Sequence, residues 1–191
     1  MHVKASEPWS AHIDYAIGTA VKFKARLRGF VTFSETAVIR ALTHSADSAV
    51  KEQQARDKVV AADLRDKFAA ATAAAGVLSD FVTGEGAAHE LVAWAARMHD
   101  LTIVEQHDPR RDELGYDAAE EAALSAGRPV LILPRTGRFT PLPVHILLAW
   151  NGSQQSAAAL QGALPFIGKA KKVTVCVGEE RGRLRSSTHA P

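Results

Sequence analysis

Short apolar runs rich in branched residues alternate along this chain with longer alanine-rich stretches. Repeated many times, that alternation fits a parallel sheet whose strands are joined by crossover helices. His2 to Ala5 is a short first strand. Pro8 then suits the first turn of a helix whose apolar face is Ile13, Ile17, Ala20 and Val21. Leu27 to Phe33 is a second strand. Ser45 to Ala75 is a long helix carrying Val50, Val59, Val60, Leu64 and Phe68 among charges, and Gly76 ends it where a left-handed cap is usual. Phe81 and Val82 mark a third strand, closed by Gly84 and Gly86. Ala87 to Arg97 follows as a helix with Leu91, Val92 and Trp94 for packing.

Leu101 to Val104 is a continuous apolar run of the buried parallel type. A helix from about Asp117 to Ala126 stops at Gly127, and Pro129 to Leu133 is a fifth strand closed by Pro134. Residues 1–134 therefore read as one α/β domain. Residues 135–143, with Gly137, Pro141 and Pro143, read as a linker. The pattern then restarts: strand His145 to Trp150, turn at Asn151 and Gly152, helix Ser153 to Ile167, strand Val173 to Val177. Laid over the first strand–helix–strand, Ser156 falls on Ser10, Ala157 on Ala11 and Val173 on Leu27, which suggests duplication by pattern. Residues 144–177 form a partial second copy, too small to bury both faces of its own sheet. It is expected to dock on the first domain, pair with another chain or stay partly unfolded. The tail 178–191 has almost no apolar content and is expected to be disordered.

Composition narrows the function classes. Of the residues, 47% are hydrophobic and 23% charged, a globular balance with no apolar run long enough for a membrane span. The first ten residues lack the apolar core of a signal peptide. The single cysteine, Cys176, can form no internal disulfide, and a reducing cytoplasmic setting fits. From Lys169 to Pro191 there are six basic and two acidic residues, a net +4; the whole chain is +2, so the remainder carries −2. A basic tail on a slightly acidic body is not the basic folded face that nucleic acid requires.

Three segments together resemble the universal stress protein family. His99-Asp100-Leu101-Thr102-Ile103-Val104 is similar to its fourth strand, A-D-L-I-V-V-G. Gly127-Arg128-Pro129-Val130-Leu131-Ile132-Leu133-Pro134 is similar to its closing P-V-L-V-V strand. Ile146-Leu147-Leu148-Ala149-Trp150-Asn151-Gly152-Ser153 is similar to its opening strand, I-L-V-x-x-D-G-S. The nearest likeness is to tandem bacterial members, here with a truncated second domain. The resemblance implies an open parallel five-stranded sheet of order 3-2-1-4-5 with helices on both faces, plus a partial β-α-β copy.

In such a sheet ligands sit outside the carboxyl ends of strands 1 and 4, where strand order reverses. Family members that bind ATP carry an Asp after strand 1 and a Gly-x-x-Gly-(nine residues)-Gly-Ser/Thr stretch after strand 4. Those glycines let bare backbone N–H groups wrap phosphate. Here Ala5 and Asn151 stand at the Asp positions, and Gly115 is the sole glycine between Val104 and Gly127. The loops offer Ala5, Ser6, Gln106, His107, Arg110 and Arg111 as candidate nucleotide-binding residues, the two arginines as charge partners for phosphate. Asn151, Gly152 and Ser153 form the matching loop of the second copy.

No nucleophile, base and oxyanion donors come together in the sequence, so no catalytic residue and no metal ligand is named. Ser153 reads as a helix N-cap, Trp94 and Trp150 as core or interface residues, and Cys176 as a buried small hydrophobe. The expectation is a non-catalytic stress-response protein, without a cofactor, that works as a homodimer through the exposed edge Val130, Leu131, Ile132 and Leu133. The alternative is an adenine-nucleotide (ATP) binding protein or weak ATPase.

Overall fold

The computed structural model describes residues 1–5, 9, 11–33, 47–106, 118–137 and 139–178. The chain divides into two compact units, residues 1–141 and 142–191.

In the first unit the elements run β1 (His2–Val3), α1 (Ala11–Phe23), β2 (Leu27–Phe33), α2 (Asp47–Ala74), β3 (Ser79–Glu85), α3 (Ala88–Ala96), β4 (Thr102–Glu105), α4 (Ala118–Ser125) and β5 (Val130–Leu133). Every recorded pairing is parallel. β2 lies between β1 and β3, with Val3 opposite Val31 and Gly29 opposite Phe81; β4 pairs with β5, with Thr102 opposite Val130. Parallel neighbours need a crossover, and a helix or the residues around one supply it each time.

The single hydrogen-bonded sheet of order 3-2-1-4-5 expected from the sequence is recorded as two ladders, β1-β2-β3 and β4-β5. The first strand ends at Val3, short of the expected Ala5, and so brief a strand offers little backbone to a second neighbour. Packing nonetheless draws on both ladders. Val3, Leu27, Val31, Ile103 and Leu133 share one core with Ile13, Ala16, Ile17 and Ala20 of α1 and Leu64 and Phe68 of α2. Val104 turns the other way and packs with Val92 of α3 and Ala119 and Ala122 of α4, joined by Phe30 and Val130. The alternation of Phe30 with Val31, and of Ile103 with Val104, is the two-residue period of a strand buried on both faces.

Helix ends follow local chemistry. Gly76, Gly127 and Gly152 hold positive φ of 67°, 63° and 73°, the left-handed region where a side chain is strained. Thr72, in the last turns of α2, donates to the Phe68 carbonyl oxygen at 2.8 Å and shares a 2.6 Å hydrogen bond with Ser79 Oγ, tying the helix to the start of β3. Phe139, in the segment read as a linker, lies tilted against His12 with ring centroids 5.1 Å apart and meets Tyr15 edge-on at 6.1 Å.

Some packing assignments are corrected. Val21 is exposed, because Ile13, Ala16, Ile17 and Ala20 fill the buried stripe of α1; in α2, whose buried face the sequence did not assign, Leu64 and Phe68 are buried and Val59 is exposed. Trp94 is 59% exposed: Val92, Ala93 and Ala96 occupy the inner face of α3 and leave the indole outside.

The second unit contains β6 (His145–Trp150), α5 (Gln154–Ile167) and β7 (Lys172–Val177), the two strands parallel with His145 opposite Lys172. Ser153 caps α5 as its sequence suggests, its Oγ accepting from Ser156 N at 3.1 Å. None of the residues of α5 is fully buried. Cys176 is exposed, contrary to expectation, because a two-stranded ladder cannot enclose both of its faces.

Candidate ligand-binding site

Where strand order reverses in an open parallel sheet, helices leave adjacent strands toward opposite faces and a crevice opens at the carboxyl ends. The order implied by the resemblance would put such a crevice at the ends of β1 and β4, which are recorded in separate ladders. Thr102, Ile103 and Val104 are buried, and the strand finishes on Glu105, whose side chain is only 10% exposed. Burying a carboxylate is costly unless charge partners face it. Two do. Lys4, just past β1, places Nζ 3.8 Å from Glu105 Oε1. His12, in the first turn of α1, places Nδ1 3.5 Å from Glu105 Oε2 with its own side chain 6% exposed.

The position of His12 is fixed from its other side. Its Nε2 lies 2.8 Å from the carbonyl oxygen of Pro134, the residue that follows β5. A carbonyl can only accept, so Nε2 carries the proton and donates. Nδ1 has no hydrogen-bond partner at this geometry, 3.5 Å being an ion-pair separation too long for a hydrogen bond of ordinary strength. The Phe139 ring covers the imidazole at an interplanar angle of 36°. Side chains from the ends of β1 and β4 and the start of α1, with a carbonyl from the end of β5, thus converge on one point.

The residues singled out from sequence divide at this place. Ala5 is partly buried against the main core, and Gln106 donates its backbone N–H to the Leu133 carbonyl oxygen at 2.8 Å, extending the β4–β5 ladder. Ser6, His107, Arg110 and Arg111 lie outside the described residues. In the second unit Asn151 Oδ1 accepts from Ser153 N at 3.0 Å, Gly152 makes the turn and Ser153 caps α5, so all three are engaged in local structure. Along the proposed edge strand Leu133 is buried, Val130 and Leu131 are half-buried and Ile132 is 41% exposed.

Sequence reasoning missed Lys4, His12 and Glu105. A signal existed for His12, which shares the buried face of α1 with Ala16 and Thr19, one and two turns on. Glu105 is the first charged residue after the apolar run of β4, where a strand's carboxyl end meets a ligand crevice. Among the described residues no three His, Cys, Asp or Glu side chains form a metal-binding set, and no helix is long and apolar enough to cross a membrane.

A separate hollow of about 80 Å³ opens at the amino ends of β1, β2 and β4, lined by His2, Arg28, Phe30, Trp94, Met98 and His99 among others. Its rim carries the fork of Arg28 on Asp80, with Nε donating to Oδ1 at 2.9 Å. That hydrogen bond, aided by the guanidinium charge, holds the Asp80 carboxyl below the usual carboxylate range.

No protein-family model matches the sequence, and no curated protein matches it. Two solved structures to which the chain is similar are a universal stress protein in complex with cAMP and a hypothetical protein whose biochemical function was assigned from its structure. The first is 15% identical, covers 71% of this chain and 95% of that chain, and has a TM-score of 0.44. The second is also 15% identical, covers 68% and 92%, and has a TM-score of 0.41. At these values neither a residue role nor a ligand passes from them to this chain.

Proposed function

We propose that this protein is a universal stress protein-like, non-catalytic α/β protein that binds a small phosphate-bearing ligand of the adenine-nucleotide class in the crevice outside β1 and β4. The observation that supports the reading is the convergence of Lys4, His12 and Glu105 at that crevice. Lys4 is the group suited to an anion. Its side chain is 22% exposed and its ammonium stands 3.8 Å from Glu105, close enough to be held and far enough to turn toward a phosphate oxygen. Glu105, facing the same crevice, is an acceptor suited to a ribose hydroxyl or an adenine amino group.

The non-catalytic part of the proposal rests on the sequence, in which no nucleophile, base and oxyanion donors come together. Calorimetric titration with ATP, AMP and cyclic AMP, alongside thermal melts, is the test. Binding should raise the melting temperature and should weaken in Lys4→Met. The absence of both heat and a melting shift at millimolar nucleotide would remove the reading, since a ligand that binds the native state alone must stabilise it.

A second reading, homodimerisation through β5, is supported by one observation. Among the described residues β5 pairs with β4 alone, and Ile132 on it is 41% exposed. Light scattering after size-exclusion should give twice the chain mass, reduced to the chain mass in Ile132→Lys. A wild-type monomer at micromolar concentration would end this reading.

A further inference from the structure

We infer that His12 and Glu105 form a proton-operated switch that decides whether the Lys4 ammonium is held or released. As a statement about ligand uptake this rests on the crevice being the binding site; as a statement about the three side chains it stands on geometry alone. His12 Nδ1 is one of two buried side-chain polar atoms without a hydrogen-bond partner among the described residues, and it points at a carboxylate oxygen 3.5 Å away. Because Nε2–H is committed to Pro134 O at 2.8 Å, the neutral ring must present a lone pair to that carboxylate. Two electron-rich atoms face each other with no proton between them. In this state Glu105 has Lys4 as its cationic partner, through Oε1.

One proton reverses the arrangement. Added at Nδ1, it turns the lone pair into an N–H donor, and a charge-assisted bond to Oε2 of ~2.8 Å becomes available. The ring need not move from Pro134, because the imidazolium donates from both nitrogens. Glu105 is then neutralised by His12, and Lys4 loses its hold on the carboxylate. The net charge of the three side chains goes from zero to +1, which favours an anion in the crevice.

Among the described residues, the groups facing the ring come from several elements. Glu105 comes from β4, with Lys4 from the end of β1 behind it; the Pro134 carbonyl follows β5, and the uncharged Phe139 ring covers one face. On α1 itself the neighbouring acid, Asp14, accepts from the Trp9 indole at 3.2 Å. The amino end of α1 opposes a cation in its first turn, so Glu105 is the compensating charge on which the imidazolium depends.

Nitrogen-15 NMR of the His12 ring from pH 8 to 5, with carbon-13 observation of the Glu105 carboxyl, tests the switch in the full chain without ligand. The expected result is an Nε2–H tautomer at pH 8 that becomes imidazolium on acidification, with the Glu105 signal moving in step and the Lys4 Nζ signal changing with it. A ring that stays neutral throughout, an Nδ1–H tautomer at pH 8, or a Glu105 signal indifferent to His12 would each overturn the proposal. A second arm measures ATP affinity at pH 8 and 6 in wild type and in His12→Gln, which keeps an amide donor for Pro134 O. The ratio between the two proteins cancels the titration of ATP itself. Wild type should gain at least about fivefold over the variant on going to pH 6. An unchanged ratio with ATP bound refutes the coupling to ligand, whereas no ATP binding in either protein refutes the nucleotide reading and leaves the NMR result to decide the switch.

Discussion

Phe68 offers the sharpest test of how the first unit is packed. Its ring is 1% exposed and tilts at 56° against Phe81, with centroids 5.4 Å apart. It fits there because Gly29 on the neighbouring strand has no side chain; a Cβ on Gly29 would stand 3.2 Å from Phe68 Cζ. Phe68→Ala removes the whole ring from a site bounded by strand backbone and by helix α2, which Thr72 ties to β3. Neither boundary can collapse into the space easily. Truncating a buried Phe costs about 3–5 kcal/mol, transfer and residual cavity together. With a urea slope of about 2 kcal/mol/M, the unfolding midpoint should fall by ~2 M at an unchanged slope. Far-UV circular dichroism of the full chain reads the transition, with Leu124→Ala as control, because Leu124 is 84% exposed and its loss should change stability by less than about 0.5 kcal/mol. A loss below about 1 kcal/mol for Phe68→Ala would show that α2 does not press this ring onto β2 and β3, and the reasoning would fail.

Gly29→Ala places a Cβ 2.4 Å from Phe81 Cδ2 and should cost about 1–3 kcal/mol in the same urea experiment; a neutral result would contradict the pairing of Gly29 with Phe81. Asp80→Asn probes the Arg28 fork. Because the folded carboxyl titrates below its unfolded value, its contribution is present above the unfolded pKa and fades as pH falls through the folded one. Both side chains are more than a third exposed, so the difference between wild type and variant should be under about 1 kcal/mol at pH 7 and should close on acidification; a gap that widens toward acid would reverse the sign argued here. Ser153→Ala removes the side-chain acceptor for Ser156 N and should weaken α5 by about 1 kcal/mol, read as faster amide exchange in its first turn and little change elsewhere.

Elements were legible in this sequence where period and punctuation agree. β2 at Leu27–Phe33 and the close of α2 before Gly76 follow from a β-rich run and a glycine at φ 67°. The N-cap at Ser153 follows from a short hydroxyl after a tight turn. These are short-range decisions, taken by backbone sterics and neighbouring side chains, and a linear sequence carries them in full. The face each residue takes was less legible. Val21 and Cys176 are apolar or soft side chains that the sequence would place inside and the structure leaves outside, and Trp94, read as a core or interface residue, is not in the core.

What the sequence determined by itself was the alternation of strand and helix, and with it a parallel α/β arrangement, because crossover helices follow from the order of the segments alone. Only the tertiary structure decided that Lys4, His12 and Glu105 meet, and that Pro134 fixes which imidazole nitrogen holds the proton. Those four residues come from the ends of four elements separated by up to 130 positions of chain, counting from Lys4 to Pro134. Their approach depends on how the strands order themselves side by side, a choice made by the burial of both sheet faces and recorded at no single position along the chain.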